Sequence, residues 1–261
     1  MKILLHIYPL IAMLFVVHSV SASQSSSFTP STIDSLTTLA KEKFDNGEEQ
    51  EAMAMYERVL EMDSENFEAL WNSSILYARE GYRLDDKSAQ EVKFRKALEL
   101  AEKVVELHPD KGHSYYALAV AKGRMTEVLG TRDRIRAAHA IRDNIEKAAE
   151  MIPEEPLVWH LWGVWHSDVS NVGRAERWAA RFISRGLPKA SSGKAEEYLS
   201  RAIEMDGTSI LFRLDLVHHY IEVGEDDKAR EILEELILMN PKSKDDPQKI
   251  EDARKLLEDL R

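Results

Sequence analysis

The chain has 261 residues, of which 44% are hydrophobic and 31% charged, enough apolar material for a core in one or two compact domains. Its 35 basic and 46 acidic residues leave a net charge of −11. This charge argues against a general nucleic-acid-binding protein, because such proteins present positive charge to phosphates. The absence of cysteine excludes disulfides, thiolate metal sites and cysteine nucleophiles.

The first residues have the layout of a secretory signal peptide. Lys2 precedes an apolar run over residues 3–17, and small side chains follow up to Ala22. The run is shorter than the roughly 20 residues that a membrane span needs. We therefore expect a signal peptide over residues 1–22, cleavage after Ala22, a polar lead-in over residues 23–31 and an exported, periplasmic or secreted mature chain. The alternative is an uncleaved N-terminal membrane anchor.

From residue 32 onward, apolar residues recur at helical spacing in units of two helices and a turn. The units begin near Ile33, Phe67, Gly112, Pro156 and Ile210. The first and last units are close to the ~34-residue period of tetratricopeptide repeats, whereas the three inner units are about ten to twenty residues longer. We place the extra residues of the second unit between its two helices, around residues 82–94.

The sequence Asp245-Asp246-Pro247 indicates the start of a final helix, with Ile250, Ala253 and Leu257 on its apolar face. A repeat array leaves apolar surface open at its end, and a helix over residues 246–261 would cover it. We predict an all-α fold, a tetratricopeptide-like right-handed helical superhelix (α-solenoid) with a C-terminal capping helix. About five helix pairs would form one domain over residues 32–261.

The helix register predicts that the first helix of each inner unit turns one side toward a concave groove. That side carries apolar and aromatic residues, here called the inner strip: Trp71, Ile75, Tyr116, Val120, Leu157, His160 and Val164. Carboxylate-clamp repeats, which hold peptide C-termini, place Lys, Arg and Asn there, so the inner strip argues against that class. An open strip indicates an apolar ligand or a covering partner, and a strip covered by an insertion would be core.

A second candidate site is the basic segment 172–194, which holds six basic residues and one acid. Its arginines step by three or four residues and would share one helical face: Arg174, Arg177, Arg181 and Arg185. Trp178 and Phe182 would lie beside that face. Arginine suits phosphate or carboxylate groups, and a basic helix with aromatic residues suits an anionic membrane surface. Alternatively, the arginines pair with acidic neighbouring repeats and the aromatic rings fill the core.

The nine histidines do not indicate a metal site. His160 and His166 are six residues apart, and His218 and His219 are adjacent, so neither pair has the i, i+4 spacing of a zinc-binding helix. The sequence also lacks a glycine-rich phosphate loop, a serine nucleophile elbow and a placed pair of carboxylates. We predict no metal, no cofactor and no enzymatic activity.

Several stretches occur in a distinctive order along the inner units. Leu70-Trp71 and Leu76-Tyr77-Ala78-Arg79 precede the long unit 111–153, which is followed by Gly163-Val164-Trp165. An arginine-rich segment over 174–185, the loop 188–192 and a helix from Ala195 to Leu199 complete the order. This order, over roughly residues 67–261, resembles the regulator of microtubule dynamics family. With its export signal, the chain would be an exported, bacterial member.

The resemblance implies a tetratricopeptide-like domain without enzymatic activity. Eukaryotic members are linked to microtubules, and one is a mitochondrial tether whose repeat domain binds phospholipid. This chain differs by its secretory signal, and a secreted protein would meet no microtubules. We predict a scaffold that holds a protein segment in its groove. The alternative is a lipid-like, acyl or anionic ligand, with peripheral membrane contact through the arginine helix; the oligomeric state stays open.

Overall fold

A computed structural model describes residues 30–173, 177–178, 180–183 and 186–261. The predicted signal peptide lies outside the described residues, so export remains a prediction. The described part contains eleven α-helices and no β-strand. They are α1 (Pro30–Asp45), α2 (Glu49–Met62), α3 (Phe67–Tyr82), α4 (Lys87–Leu107), α5 (Gly112–Met125), α6 (Thr131–Met151), α7 (Pro156–Ser170), α8 (Ser192–Met205), α9 (Ile210–Val223), α10 (Asp226–Leu236) and α11 (Asp246–Asp259).

Consecutive helices pack as five pairs, from α1–α2 to α9–α10. The second helix of each pair contacts the first helix of the next, and first helices also meet directly at α3–α5 and α7–α9. The last helix, α11, packs against α9 and α10, at the end of the array. The protein is therefore a helical-repeat solenoid, and the all-α prediction is confirmed.

Small residues allow the paired helices to approach closely, and large ones fill the space between them. Ala52 in α2 and Ala229 in α10 are fully buried at such contacts. Tyr56, Phe94 and Leu199 are among the largest fully buried side chains. The apolar periodicity seen in the sequence thus corresponds to a core that continues from pair to pair.

The extra residues of the second unit do not lie between its helices, contrary to the prediction for residues 82–94. Helix α3 ends at Tyr82 and α4 already begins at Lys87, so most of these residues form the first turns of the 21-residue α4. The carboxylate of Asp86 accepts a hydrogen bond from the Ala89 amide (2.8 Å) and starts α4 early. Phe94 then packs against Gly81, where a Cβ atom would lie 2.7 Å from the Phe94 ring.

The C-terminal linker between α10 and α11 returns to the first helix pairs. The linker passes close to Gly47, in the α1–α2 turn. A Cβ atom on Gly47 would lie 3.8 Å from the Lys242 carbonyl oxygen, which is van der Waals contact. The guanidinium of Arg83, at the end of α3, donates from Nε to Asp245 Oδ1 (2.8 Å) and from Nη2 to Asp245 Oδ2 (2.7 Å). The array therefore closes on itself instead of ending as an open superhelix.

Four charged residues form this closure, here called the clasp: Glu49, Arg79, Arg83 and Asp245. Glu49 is only 7% exposed; its Oε2 atom accepts a hydrogen bond from Arg83 Nη1 (2.5 Å), and its Oε1 atom forms an ion pair with Arg79 Nη2 (2.7 Å). Partial burial opposes ionisation of Asp245, but the hydrogen bonds from Arg83 outweigh it and lower the pKa of Asp245. The clasp thus joins residues separated by 162 positions in the chain.

Asp246 shapes the linker that carries the clasp. Its Oδ2 atom accepts from the backbone amides of Lys242 (2.9 Å) and Ser243 (2.8 Å), and it is almost fully buried. Burial opposes its ionisation, yet the hydrogen bonds from Ser243 and Lys242 lower the pKa of Asp246. The neighbouring Asp245 occupies the N-cap position of α11 but caps no amide, because its carboxylate binds Arg83.

Within the described residues, no helix has the length and apolar character that crossing a membrane requires.

Candidate functional site

The inner strip is largely part of the core. Ile75 and Tyr116 are buried in the central cluster formed by α3, α5 and α7. Burial, together with the charge of Glu155, raises the pKa of Tyr116. Val120, Leu157 and Val164 are half-buried against neighbouring repeats. Of the two alternatives for the strip, the core one therefore applies to Ile75 and Tyr116.

The two remaining members of the strip are engaged with neighbouring side chains. The indole N–H of Trp71 donates to Glu68 Oε2 (3.0 Å), and its ring lies 4.8 Å from the His113 ring. His160 Nε2 lies 2.6 Å from Asp215 Oδ2, and its ring stacks on Phe212. These contacts join adjacent repeats. A ligand-binding role for the strip remains a prediction, and the described lining of the two open cavities presented below includes none of its members.

Three acidic side chains of α7 and α9 lie near one another: Asp168, Asp215 and Glu222. The protein around Asp168 removes much of its hydration, although the side chain still contacts solvent. This desolvation and the nearby charges of Glu222 and Asp215 raise the pKa of Asp168 to about 7. Glu222 itself is held by the Asn171 side-chain amide (2.6 Å).

The basic segment between α7 and α8 presents an aromatic pair to solvent. Trp178 is 61% exposed and Phe182 75% exposed, and their rings meet edge to face with centroids 4.8 Å apart. Arg181 is exposed, while Arg177 donates to the carbonyl oxygens of Ser170 (3.0 Å) and Val172 (3.3 Å). We call these four residues the aromatic tip: Arg177, Trp178, Arg181 and Phe182.

The predicted arginine helix does not extend through this segment. Arg177, Trp178 and Ala180 are helical, but residues 181–183 form turns closed by i+3 hydrogen bonds, such as Ile183 N to Ala180 O (3.0 Å). Gly186 follows with a φ of 60°, a left-handed conformation that ends helical segments. Arg174 and Arg185 lie outside the described residues, so the arginine face expected for them remains a prediction.

An open cavity of about 340 Å³ lies between α6, α7 and the start of α8. Trp162, Trp165 and His166 of α7 line it. Arg142 and Glu146 of α6 and the basic residues Lys189 and Lys194 also line it. We call this the aromatic–basic cavity. The two lysines belong to the basic segment found in the sequence. Their α6 and α7 neighbours were missed, because no local pattern connects residues from three helices.

His166 is 5% exposed and is the most polar group on the aromatic side of the cavity. Burial, with a smaller contribution from the charge of Lys194, lowers the pKa of His166 to about 4. The backbone N–H of Ser191 donates to its Nδ1 atom (3.2 Å). A neutral ring that accepts at Nδ1 carries its hydrogen on Nε2. The loop before α8 therefore fixes which nitrogen of His166 can donate.

A second open cavity of about 310 Å³ lies where Lys87, Ser88 and Glu91 of α4 face the α5–α6 loop. Its described lining contains no aromatic side chain. In the described ranges, no group of three or more His, Asp or Glu side chains is arranged to hold a metal ion.

The family model for regulator of microtubule dynamics proteins 1–3 matches residues 36–261. The chain belongs to this family. The resemblance noted in the sequence is therefore confirmed. Regulator of microtubule dynamics protein 2 of Mus musculus is 26% identical over 201 residues, covering 76% of this chain and 48% of that protein. Protein 1 of Bos taurus is 28% identical over 148 residues, covering 55% of this chain and 46% of that protein.

Two solved structures share the fold. A thermophilic TPR protein of Thermus thermophilus superposes with a TM-score of 0.62 at 18% identity, covering 85% of this chain and 99% of that one. PilF of Pseudomonas aeruginosa superposes with a TM-score of 0.50 at 12% identity, covering 87% of this chain and 88% of that one. These likenesses confirm the tetratricopeptide-like fold. The chain spans about half the length of the two relatives named above.

In this member of the regulator of microtubule dynamics family, the stretch Gly163-Val164-Trp165 has a packing role. A Cβ atom on Gly163 would lie 2.6 Å from Leu199 Cγ and 2.9 Å from the Leu199 backbone nitrogen. Two residues later, the buried Trp165 donates its indole N–H to the Ala138 carbonyl oxygen of α6 (3.0 Å). Gly163 thus sets the closeness of α7 and α8, and Trp165 ties α7 to the preceding pair.

We expect Gly163→Ala to destabilise this family member by about 1–3 kcal/mol, because the added methyl group meets backbone as well as side chain in α8. Its control is Gly123→Ala in α5, where a Cβ atom meets nothing within 4 Å. That variant should be neutral or up to about 1 kcal/mol more stable, because alanine favours helix. Urea unfolding of both variants checks the prediction, and equal stabilities would contradict it.

Proposed function

We propose that this protein is a non-catalytic binding scaffold whose aromatic tip contacts an acidic protein partner. The observation that carries the proposal is the exposure of Trp178 and Phe182, whose rings pack on each other while projecting into solvent. Large aromatic side chains dominate the energy of protein interfaces, and Trp and Arg are enriched among residues that contribute most. An exposed pair of this kind costs solubility unless a partner covers it.

The charge around the aromatic tip indicates the chemistry of the partner. The basic segment 172–194 holds six basic residues and one acid in a chain whose net charge is −11. Arg181 is exposed beside the aromatic pair. An acidic surface would meet positive charge here and be repelled by much of the remaining surface, which favours docking at this segment over other places.

The inner face offers less support for binding than the aromatic tip. Ile75 and Tyr116 are buried, and the clasp ties the C-terminal linker to the first two helix pairs. A protein segment held along the inner strip therefore needs the repeats to separate. The tip needs no such change, so its binding carries little reorganisation cost.

A second candidate is peripheral contact with an anionic membrane. Exposed aromatic and arginine side chains on one short segment also suit a membrane interface. The relatives are named for microtubule dynamics, and assembled microtubules are a third partner to test. The acyl-carrier alternative has less support, because the described lining of the aromatic–basic cavity includes no aliphatic side chain.

Site-specific crosslinking tests the proposal on the mature chain. A photoreactive amino acid replaces Trp178 or, as the matched control, Val92, which is 66% exposed on α4. In extracts of the source organism, we expect a discrete protein adduct from position 178 and none from position 92. The adduct from position 178 should be lost when the same protein also carries Arg177→Glu and Arg181→Glu. The captured protein is then purified. We expect its Kd to rise roughly thirtyfold, about 2 kcal/mol, with Trp178→Ala/Phe182→Ala.

Three outcomes would contradict the acidic-protein proposal. Equal adducts at positions 178 and 92 would mean nonspecific contact. Cosedimentation with anionic vesicles but no protein adduct would establish the membrane alternative, and an adduct with a second copy of this chain would make the tip a self-association site. Because the tip is exposed, the double alanine variant should keep its Tm, so a loss of binding is not a loss of folding.

A further inference from the structure

The aromatic–basic cavity contains hydrogen-bond donors that no acceptor among the described residues satisfies. Nδ1 of His166 accepts from the Ser191 amide, which leaves its Nε2–H as a donor. Within the described ranges, this Nε2–H has no protein acceptor, and the atom is open to solvent rather than enclosed. The indole N–H of Trp162, four residues before it on α7, likewise donates to no atom in the described part of the chain. Two neutral donors therefore meet at one wall of the cavity.

Positive charge surrounds these donors. Lys189 and Lys194 line the cavity, and neither forms an ion pair in the described part of the chain. Arg142 pairs with its neighbour Asp143 (Nη2 to Oδ1, 2.6 Å). Glu146 is the sole carboxylate among the described residues that line the cavity. Donors outnumber acceptors, and unpaired ammonium groups outnumber the carboxylate, so this lining favours an anion with several acceptor oxygens.

We propose that the aromatic–basic cavity binds the phosphoryl group of a water-soluble phosphate monoester. A phosphoryl group has three terminal oxygens, enough to accept from His166, Trp162 and the two lysines together, whereas a carboxylate has two. The described lining includes no aliphatic side chain that would hold an acyl chain. The walls are indole and imidazole rings, which suit a compact polar ligand.

The fold prepares this site before any ligand arrives. His166 lies on α7, where Ser191 fixes its donor atom, and Trp162 packs with Trp159 and Tyr198. Lys194 lies in the first turn of α8, where its ammonium approaches the face of the Tyr198 ring. The positive end of α8 therefore adds to the field at the cavity. Three of the four donors lie on helices, and Lys189 lies in the loop before α8, so most of the ordering is done before binding.

Calorimetric titration of the mature chain with O-phosphoserine, and separately with inorganic phosphate, tests the proposal. We expect one saturable site for the monoester, with at least a tenfold loss of affinity in Lys189→Glu/Lys194→Glu. Both lysines are exposed, so this variant should fold normally. Its matched control is Lys96→Glu/Lys255→Glu, two exposed lysines elsewhere on the surface, which should keep the affinity of the unchanged protein.

An independent readout comes from the cavity itself. Nitrogen–proton spectra should show the Trp162 indole signal, assigned with Trp162→Phe, shifting with the monoester. The Trp165 indole, whose N–H already donates to Ala138, should shift less. The aromatic tip plays no part in this site, so Trp178→Ala/Phe182→Ala should bind the monoester unchanged whether or not the proposed partner exists.

Three results would overturn the proposal. One is the absence of a saturable heat and of a Trp162 shift at millimolar monoester. Another is an equal loss of affinity in both charge-reversal variants, which would mean general attraction of anions. The third is binding of vesicles that contain phosphatidic acid without binding of either soluble phosphate, which would make a lipid headgroup the source of the phosphoryl group.

Discussion

Replacing Glu49 by alanine is expected to destabilise the protein by about 2–3 kcal/mol, a little less than the roughly 3–5 kcal/mol typical of a fully buried ion pair. Glu49 is 7% exposed and neutralises both Arg79 and Arg83, so its removal leaves two adjacent guanidinium groups without their shared partner. The guanidinium groups keep some contact with water, which moderates the cost. Thermal and urea unfolding measure the loss.

Two comparisons distinguish loss of the clasp from general surface effects. Asp45→Ala removes an exposed ion pair with Lys41 on α1 and should cost at most about 1 kcal/mol. Asp245→Ala should cost less than Glu49→Ala, because it leaves no buried charge unpaired. However, it should increase the maximum dimension in small-angle scattering, because the C-terminal linker is released from the first two helix pairs. An unchanged dimension would show that the clasp does not hold the array closed.

The clasp also predicts a pH dependence. The pKa of Asp245 is lower in the folded protein than the ordinary 3.8, chiefly because Arg83 binds its ionised form against the effect of burial. Its contribution to stability is therefore complete above pH 3.8 and is lost as the pH falls through the lower, folded value. Asp245→Asn should remove this part of the acid sensitivity, and it should lower the stability at pH 7, where the contribution is complete.

Replacing Phe94 by alanine is expected to cost about 3–5 kcal/mol, the largest effect we predict for a single substitution. Phe94 is fully buried between α3 and α4 and lies directly against Gly81. In a domain of this size, the loss should lower Tm by roughly 10 °C. Calorimetric unfolding checks it, and Val92→Ala, two residues away but exposed, should leave Tm nearly unchanged.

A double-mutant cycle identifies the contact responsible. Gly81→Ala alone should destabilise, because the added Cβ atom would lie 2.7 Å from the Phe94 ring. In the Phe94→Ala background, the same change no longer meets the ring but still meets Lys93 Cβ (2.9 Å), so its cost should be smaller than in the unchanged protein. Additive effects of the two substitutions would show that Gly81 and Phe94 do not interact as the structure indicates.

The helix pairs were predictable because their signals are local. Apolar residues at helical spacing mark the five pairs, and Gly224, which follows the last residue of α9, has the positive φ of 80° that glycine accommodates at a helix end. The start of α11 at Asp246 was likewise visible in Asp245-Asp246-Pro247. Such signals depend on neighbours within one or two turns.

The errors arose where distant residues decide the structure. The first turns of α4 start from the local cap at Asp86, but they are held by the packing of Phe94 on Gly81, which no turn signal reveals. The burial of Ile75 and Tyr116 depends on how closely neighbouring units pack, and a one-residue rotation of a helix changes the face that a side chain occupies. The aromatic–basic cavity combines residues of three helices, so only Lys189 and Lys194 were visible as part of a basic segment.

An open array of repeats loses structure from its ends inward, because each terminal unit has one neighbour instead of two. In this chain the clasp gives the first two units and the C-terminal linker a shared boundary. Fraying at either terminus therefore costs contacts at both, and unfolding should approach a single concerted transition. The same connection brings together segments far apart in sequence, which slows folding, since the whole array must form before its ends can meet.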